Sequence, residues 1–340
     1  MKLKFLIRIA ILFFSFVISL IIIEFILRNT RWGQDGKFNS MYVYKKSKYS
    51  YYGLKNNFKV LYKNIEYSTN SFGLRGEEFK LDDLKDKYVI IGLGDSIMMG
   101  YNLSEKDTFL YQLGLLLNTF NEDRRFFTIN QGVSGMNLTG SIQRFYDLNS
   151  DEFNPQMIIH QILIDDFILY KEEEKLQNKP LINHIKEFVK SNMYGIYFLL
   201  KYSMQKLNIY KTYGVSVSEN ESYYDKIFKV HTSDLEISQN EIINLKRYCD
   251  SKGYILIYVI FPVLESSKEY QYTSYHKIWD DFFEKNNILY IDLINHLSSD
   301  NLNEYKLTDE DKVHPNAFAT QLFAKIIYQN IIIHLYFSRK

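Results

Sequence analysis

The chain has 340 residues, 41 basic and 40 acidic, for a formal net charge of +1. A nucleic-acid-binding domain usually carries a basic face or stripe, and nothing in so even a balance suggests one. The single cysteine, Cys249, excludes an intramolecular disulfide and any redox or metal site built on cysteines, while 46% hydrophobic and 16% aromatic residues supply a core for one large α/β domain or two small ones.

In chain order, the first element is apolar. Lys2, Lys4 and Arg8 are basic, and from Ile9 to Ile23 there is no charge. With Arg8 and Glu24 near its ends, the apolar segment runs from Phe5 to Leu27. As a helix at about 1.5 Å per residue it would cover roughly 35 Å, enough for a bilayer core of about 30 Å. Three readings compete. A cleaved signal peptide needs small residues after the apolar run, and Glu24-Phe25-Ile26-Leu27-Arg28-Asn29-Thr30 does not supply them. A buried core helix would not sit at the terminus with apolar residues all round. An uncleaved signal anchor over residues 1–28 is the preferred reading. Lys2, Lys4 and Arg8 before it, against Arg28 and Arg31 after it, favour an internal amino terminus and an external remainder.

Residues 29–85 are polar and tyrosine-rich, with short β-like patches such as "FKVLYKNIEYSTN", and read as a connecting arm packed on the main domain. "NSFGLRGEEF" (70–79) is a turn around Gly73 and Gly76, and Arg75 within it could serve a site, with a surface salt bridge the preferred expectation. From residue 86 apolar runs alternate with helical periodicity. "KYVIIGL" is a strand. "SEKDTFLYQLGLLLNTF" is a helix with Ser104 as its N-cap. "RRFFTIN" is the second strand, "NLTGSIQRFYDL" a helix and "PQMIIHQILI" the third strand. "ISQNEIINLKRYCDSKG" is an amphipathic helix ending at Gly253, followed by the strand "YILIYVIFP", the helix "SYHKIWDDFFEKNN", the strand "ILYIDLI" and a closing helix "NAFATQLFAKIIYQNIIIHLYF". Strands that are apolar throughout and alternate with helices predict a parallel sheet covered on both faces. Residues 171–235 break the rhythm and read as a helical insertion at the functional edge of the sheet. "KEEEK" there is a solvated helix start, and the apolar stretch Tyr194–Leu200 is read as local core.

Loops at the carboxyl ends of strands in an open parallel sheet form the ligand crevice. By that rule the candidates are Ser96 in "GLGDSIMMG", Gly132 and Gly135 in "NQGVSGMN", Asp165 and Asp166 in "LIDDF", and Asp311 and His314 in "DKVHPN". Ser96 alone could be a helix cap or a nucleophile. Asp311 and His314 are three positions apart, so the carboxylate can hold one imidazole nitrogen while the other faces the sheet edge, which is the orienter-and-base half of a serine triad. Asp95 suits a backbone-binding role, Met98 and Met99 suit packing, and His160 lies in an apolar strand as a core histidine. His184, His231, His276, His296 and His334 have no partner at metal spacing, so neither a metal nor another cofactor is implied.

"GDS" after the first strand, "NQGVSG" after the second and "DKVHPN" before the last helix resemble the SGNH hydrolases, also called the GDSL esterase/lipase superfamily, over residues 86–335. The anchor, the arm with "NSFGLRGEEF" and the insertion are similar to its membrane-anchored bacterial members. The resemblance implies a flavodoxin-like three-layer α/β/α fold around a central parallel five-stranded sheet in residues 86–340. It implies Ser96 as nucleophile, His314 as general base and then acid, and Asp311 as the orienter of His314. The oxyanion would take hydrogen bonds from the amides of Ser96 and Gly135, and Gly132 would serve the turn. The family pattern has Gly-x-Asn-Asp after the third strand, its asparagine an oxyanion donor; here those positions carry Leu163 and Asp165. An ionised carboxylate cannot donate. Asp165 is then a neutral donor, or another residue replaces it, or the protein is slow or inactive. Ala319 stands where a glycine often follows the histidine, a matter of helix packing.

The expected activity is hydrolysis of acyl, above all acetyl, esters on a small molecule or cell-surface glycan by an extracytoplasmic enzyme anchored through its amino-terminal helix. Transfer of the acyl group to a sugar hydroxyl, a catalytically degenerate glycan-binding or assembly protein, and a lipase with a lid are the other readings.

Overall fold

The computed structural model describes residues 2–120, 125–169, 188–190, 192–206 and 223–337. The chain divides into two compact units, Met1–Tyr42 with Val60–Asn64 and Glu172–Val215, and Val43–Lys59 with Ile65–Lys171 and Ser216–Lys340.

The larger unit holds the sheet. Its strands are β1 (Lys87–Leu93), β2 (Arg125–Asn130), β3 (Pro155–Ile162), β4 (Ile255–Ile260) and β5 (Leu289–Asp292), all parallel, in the order β2-β1-β3-β4-β5. Ile91 of β1 stands beside Ile129 on one side and Ile158 on the other, and Ile159 beside Ile257. β2, β1, β3 and β4 carry β-branched and aromatic residues in continuous runs, because helices bury both faces of the sheet.

Alternation along the strands sorts the side chains into two cores. Val89, Ile91, Ile158 and Tyr258 face one, which is closed by α3 (Leu138–Asp147), α4 (Thr232–Lys252) and α5 (Thr273–Lys285) through Ile142, Phe145, Ile242, Leu245, Trp279 and Phe283. Ile90, Met157, Ile159 and Ile257 face the other, closed by α2 (Phe109–Phe120) and α6 (Ala317–Phe337) through Leu113, Leu117, Phe323 and Ile327. The result is the expected three-layer α/β/α arrangement. Because β1 sends the chain to β2 on one side while the later strands add on the other, the strand order reverses between β1 and β3, and a crevice opens there at the carboxyl ends.

Some element boundaries differ from the sequence expectation. Ser104 does not cap α2. A 3₁₀ turn, Glu105–Asp107, intervenes, Ser104 Oγ donates to Asp107 Oδ2 at 2.6 Å, and Thr108 starts the helix by accepting from the Gln112 and Tyr111 amides. α4 begins five residues earlier than its apolar periodicity suggested, at Thr232, and ends at Gly253 as expected, in the left-handed conformation that stops it. Ala319 is fully buried in the second core.

In the smaller unit, a 27-residue helix, Lys2–Arg28, is long and apolar enough to cross a membrane. It is joined by the helices Arg31–Asn39 and Tyr194–Lys206. The stretch expected as local core, Tyr194–Leu200, lies on the second of these, with Leu200 57% exposed. "KEEEK" lies outside the described residues. The other described helix of the insertion, Tyr223–Val230, belongs to the larger unit and packs Ile227 and Phe228 into its first core.

Candidate active site

The exit from β1 is set by close packing. Gly94 has φ +153°, and a Cβ there would lie 2.4 Å from Gln161 Oε1 on β3. Gln161 can then accept from the amides of Asp95 (3.2 Å) and Met98 (3.3 Å), pinning the turn to the neighbouring strand. Asp95 caps the short helix α1 (Ser96–Met99), its Oδ1 accepting from the Ile97 amide at 2.8 Å. Ser96 is therefore the first residue of a helix, with a cap beside it and not as the cap.

On the next loop, Asn130 Nδ2 donates to Met98 O (2.7 Å) while its Oδ1 accepts from the Gly132 amide (2.9 Å). Gly132 is required by proximity, since a Cβ would come within 2.3 Å of the Met99 nitrogen. Gly135 sits at φ +73°, and among the described residues no acceptor takes its N–H or that of Ser96. Amides without partners are suited to a developing anion, and that of Ser96 stands at the amino terminus of α1.

Asp311, His314 and Ser96 form one chain of hydrogen bonds. His314 Nε2 lies 2.8 Å from Ser96 Oγ, and Nδ1 lies 2.8 Å from Asp311 Oδ2. The other oxygen, Asp311 Oδ1, accepts from the amides of Val313 (3.0 Å) and His314 (2.9 Å), which fixes the carboxylate plane. Partial burial alone would raise the Asp311 carboxyl. The His314 ring and amide, its charge and the Val313 amide outweigh that and hold it at about 2. Tyr101 lies against the imidazole, ring centroids 4.9 Å apart.

Asp165 and Asp166 follow β3 on the far side of the switch point. Asp166 Oδ2 accepts from the Leu163 amide at 2.8 Å, and burial, then Asp95 and Asp165, push its carboxyl well above the ordinary range. Asp165 is pushed up to about 6, first by burial, against its own amide, and further by Asp95. Asp95 is itself raised by burial, against the Ile97 amide and the charge of His314. Three carboxyls thus share a poorly hydrated loop cluster in which full ionisation is disfavoured.

Arg75 corrects the sequence expectation. It is not in a surface salt bridge but 4% exposed, with its guanidinium donating to the carbonyls of Met99, Gly100 (2.6 Å) and Leu103 (2.5 Å), at the carboxyl end of α1. The Tyr67 ring covers it at 4.4 Å, and Tyr67 Oη accepts from the Asn102 amide at 2.7 Å. A planar donor fork matches three converging carbonyls, and a point-charge ammonium does not. Arg75→Ala is expected to cost about 3 kcal/mol through buried carbonyls left unpaired, or roughly 8 °C in melting temperature. Arg75→Lys should recover little of it; an unchanged melting temperature for the alanine variant would contradict this role.

Among the histidines whose side chains are described, no other joins this chain, and His184 lies outside the described residues. His160 is a core residue, Nε2 2.7 Å from Ser141 Oγ, with burial pushing it down to about 3. The sequence reading missed His276, which is buried with Nδ1 2.9 Å from both oxygens of Asp292 and Nε2 3.2 Å from Tyr270 Oη. Tyr270 Oη accepts from the Val263 amide (2.8 Å), and the next amide, Leu264, donates to Lys312 O (2.7 Å). This network braces the loop that carries Asp311 and His314. Its signal in the sequence was Asp292, a lone acid at the carboxyl end of an apolar strand.

An α/β sandwich with serine, histidine and aspartate joined at the switch point has the framework of a hydrolase. The chain matches the model of the GDSL-like Lipase/Acylhydrolase family over residues 90–327 and belongs to that family. No curated protein matches it significantly. Among solved structures, similar chains include the acetyl xylan esterase AlAXEase, at 13% identity over 72% of this chain and 99% of the other, with a TM-score of 0.42. LAE5, an alpha/beta hydrolase enzyme from the metagenome of Lake Arreo, Spain, is 13% identical over 72% and 95%, TM-score 0.42. A catalytic mutant of Axe2, an acetylxylan esterase from Geobacillus stearothermophilus, is 13% identical over 72% and 94%, TM-score 0.41.

Proposed function

We propose that this protein is a membrane-anchored serine esterase that hydrolyses acyl esters, acetyl esters of cell-surface glycans foremost, through an acyl-serine intermediate. The observation that carries the proposal is the Ser96–His314–Asp311 chain, with both hydrogen bonds at 2.8 Å. Membership of the acylhydrolase family supports the reaction class.

Ser96 Oγ attacks the ester carbonyl carbon as its proton passes to His314 Nε2. Asp311 holds Nδ1–H and stabilises the imidazolium that forms. The carbonyl π electrons move onto oxygen, and the amides of Ser96 and Gly135 donate to that oxyanion. Collapse breaks the bond to the alkoxide, which leaves with the proton from His314. Water then attacks the acyl-serine with His314 again as base, releasing the acid and restoring the serine. Asp165 completes the oxyanion site in its neutral form, donating its own O–H; burial supports this by favouring the uncharged carboxyl. Transfer to a sugar hydroxyl differs only in the second nucleophile.

The anchor reading is supported by the helix Lys2–Arg28 and the balance of basic residues around it, which favours an external catalytic unit. Incubation of the full chain in detergent with p-nitrophenyl acetate and with an acetylated oligosaccharide tests the function. Acetate release from both is expected. Release from neither sinks the esterase proposal, and release from the nitrophenyl ester alone removes the glycan substrate.

A further inference from the structure

Glu24 is the only acid between Met1 and Arg28, near the end of an otherwise apolar helix, yet it is 5% exposed. Its carboxylate accepts from Arg28 Nε at 3.1 Å and from the amides of Gly195 (3.2 Å) and Ile196 (2.9 Å), at the amino terminus of the helix Tyr194–Lys206. Arg28 Nη2 also donates to Asn192 O at 2.6 Å, and its guanidinium covers the Tyr194 ring at 4.7 Å. The backbones approach closely: a Cβ on Gly195 would lie 2.8 Å from Leu27 Cβ, and one on Gly36 would lie 2.2 Å from Tyr194 O. The apolar helix is thus fastened over its last turn to the helix Tyr194–Lys206 by a carboxylate on two amides.

That junction has a consequence for the surface beside it. Glu24 and Arg28 lie one turn apart, about 6 Å along the axis, where the uncharged run ends. In a spanning helix this is the depth of the headgroups. The partner helix starts at the same depth and presents apolar side chains outward: Leu200 is 57% exposed, and Phe188 just before it 62%. Trp32 and Tyr202 also expose their rings, the residue types that favour a membrane interface.

Resting on the anchor reading above, we infer that residues 188–190 and 192–206 form an interfacial membrane element, with Phe188 and Leu200 seated in the headgroup and acyl boundary of the bilayer that the anchor crosses. The smaller unit then lies on the membrane instead of hanging from it on a tether. Burial of such side chains at an interface is favourable in proportion to apolar area, and exposure to water would leave that area uncovered.

The test uses the full chain reconstituted in phosphatidylcholine–phosphatidylglycerol vesicles. An environment-sensitive dye is attached at Leu200→Cys, at Phe188→Cys or, within the anchor, at Phe14→Cys. Cys249 is buried and escapes native labelling. Melting temperatures equal to that of the parent chain establish folding, since both positions 188 and 200 are on the surface. The expected result is blue-shifted emission at 188 and 200, quenched most by lipid carrying its quencher near the headgroup, with Phe14→Cys quenched by a deeper probe. A quenched anchor with water-like emission at 188 and 200 overturns the inference and leaves the anchor standing. Blue-shifted emission there without lipid quenching places protein over the patch and also overturns it. An anchor position that no lipid quencher reaches refutes the anchor, and the inference with it.

Discussion

Ser96→Ala is expected to lower kcat/KM for p-nitrophenyl acetate by roughly 10⁴- to 10⁶-fold, the range for removal of a nucleophile from a triad that works as a unit. The substitution leaves the fold intact. The Asp95 cap on Ile97 and the Gln161 bonds to the Asp95 and Met98 amides do not involve the Ser96 side chain. His314→Ala should cost a similar factor, and the double variant little more than either alone, because neither group acts without the other. Activity of Ser96→Ala within tenfold of the parent, at equal melting temperature, would contradict the nucleophile. Because Ser96 is the first helical residue, a lost cap cannot account for a loss of rate.

Asp165→Asn tests the departure from the family pattern, and its effect depends on pH. Asp165 titrates at about 6, raised first by burial and further by Asp95. A neutral donor is present below that value and lost above it. At pH 8 only about 1% of such a group carries its proton. An oxyanion donor contributes roughly 100- to 1000-fold. The parent should therefore lose rate as pH rises through 6, and Asp165→Asn, whose amide donates at any pH, should lack that alkaline decline and run roughly 100-fold faster at pH 8. Near pH 5 the two should be comparable. A variant slower than the parent at every pH would show that Asp165 has another task. Identical profiles would show that it stays outside the oxyanion site, which the amides of Ser96 and Gly135 then hold alone.

The parts of this protein that were legible in its sequence are those whose chemistry is local. Asp311 and His314 are three residues apart, so the bond between carboxylate and ring follows from the spacing of one loop. The five strands were visible because burial on both faces demands continuous apolar runs, while their order, and with it the switch point between β1 and β3, came with the structure. Ser96 was legible only as one of two things until the loop after β2 and the loop before α6 supplied context.

Arg75 was misread because exposure is the default for an isolated arginine. Its burial depends on three carbonyls 24 to 28 residues further along the chain, which no local pattern announces. His276 and Asp292 are 16 residues apart on different elements, and the pairing exists only once α5 has packed on the sheet. Asp165 could be placed by counting, but its ionisation is a property of the assembled loop cluster. The stretch Tyr194–Leu200 was apolar enough to suggest core; that its helix would take its place against Glu24 depended on a contact 171 residues apart.

The central claim is that Ser96 is a nucleophile activated by His314. Reaction of the full chain with a fluorophosphonate probe, followed by mass mapping, tests it most directly, since the probe forms a stable phosphonate ester only with an activated hydroxyl. The expected result is one adduct, on Ser96, lost in Ser96→Ala and formed far more slowly in His314→Ala. A chain that stays unlabelled at Ser96, or labels equally fast in His314→Ala, would contradict it.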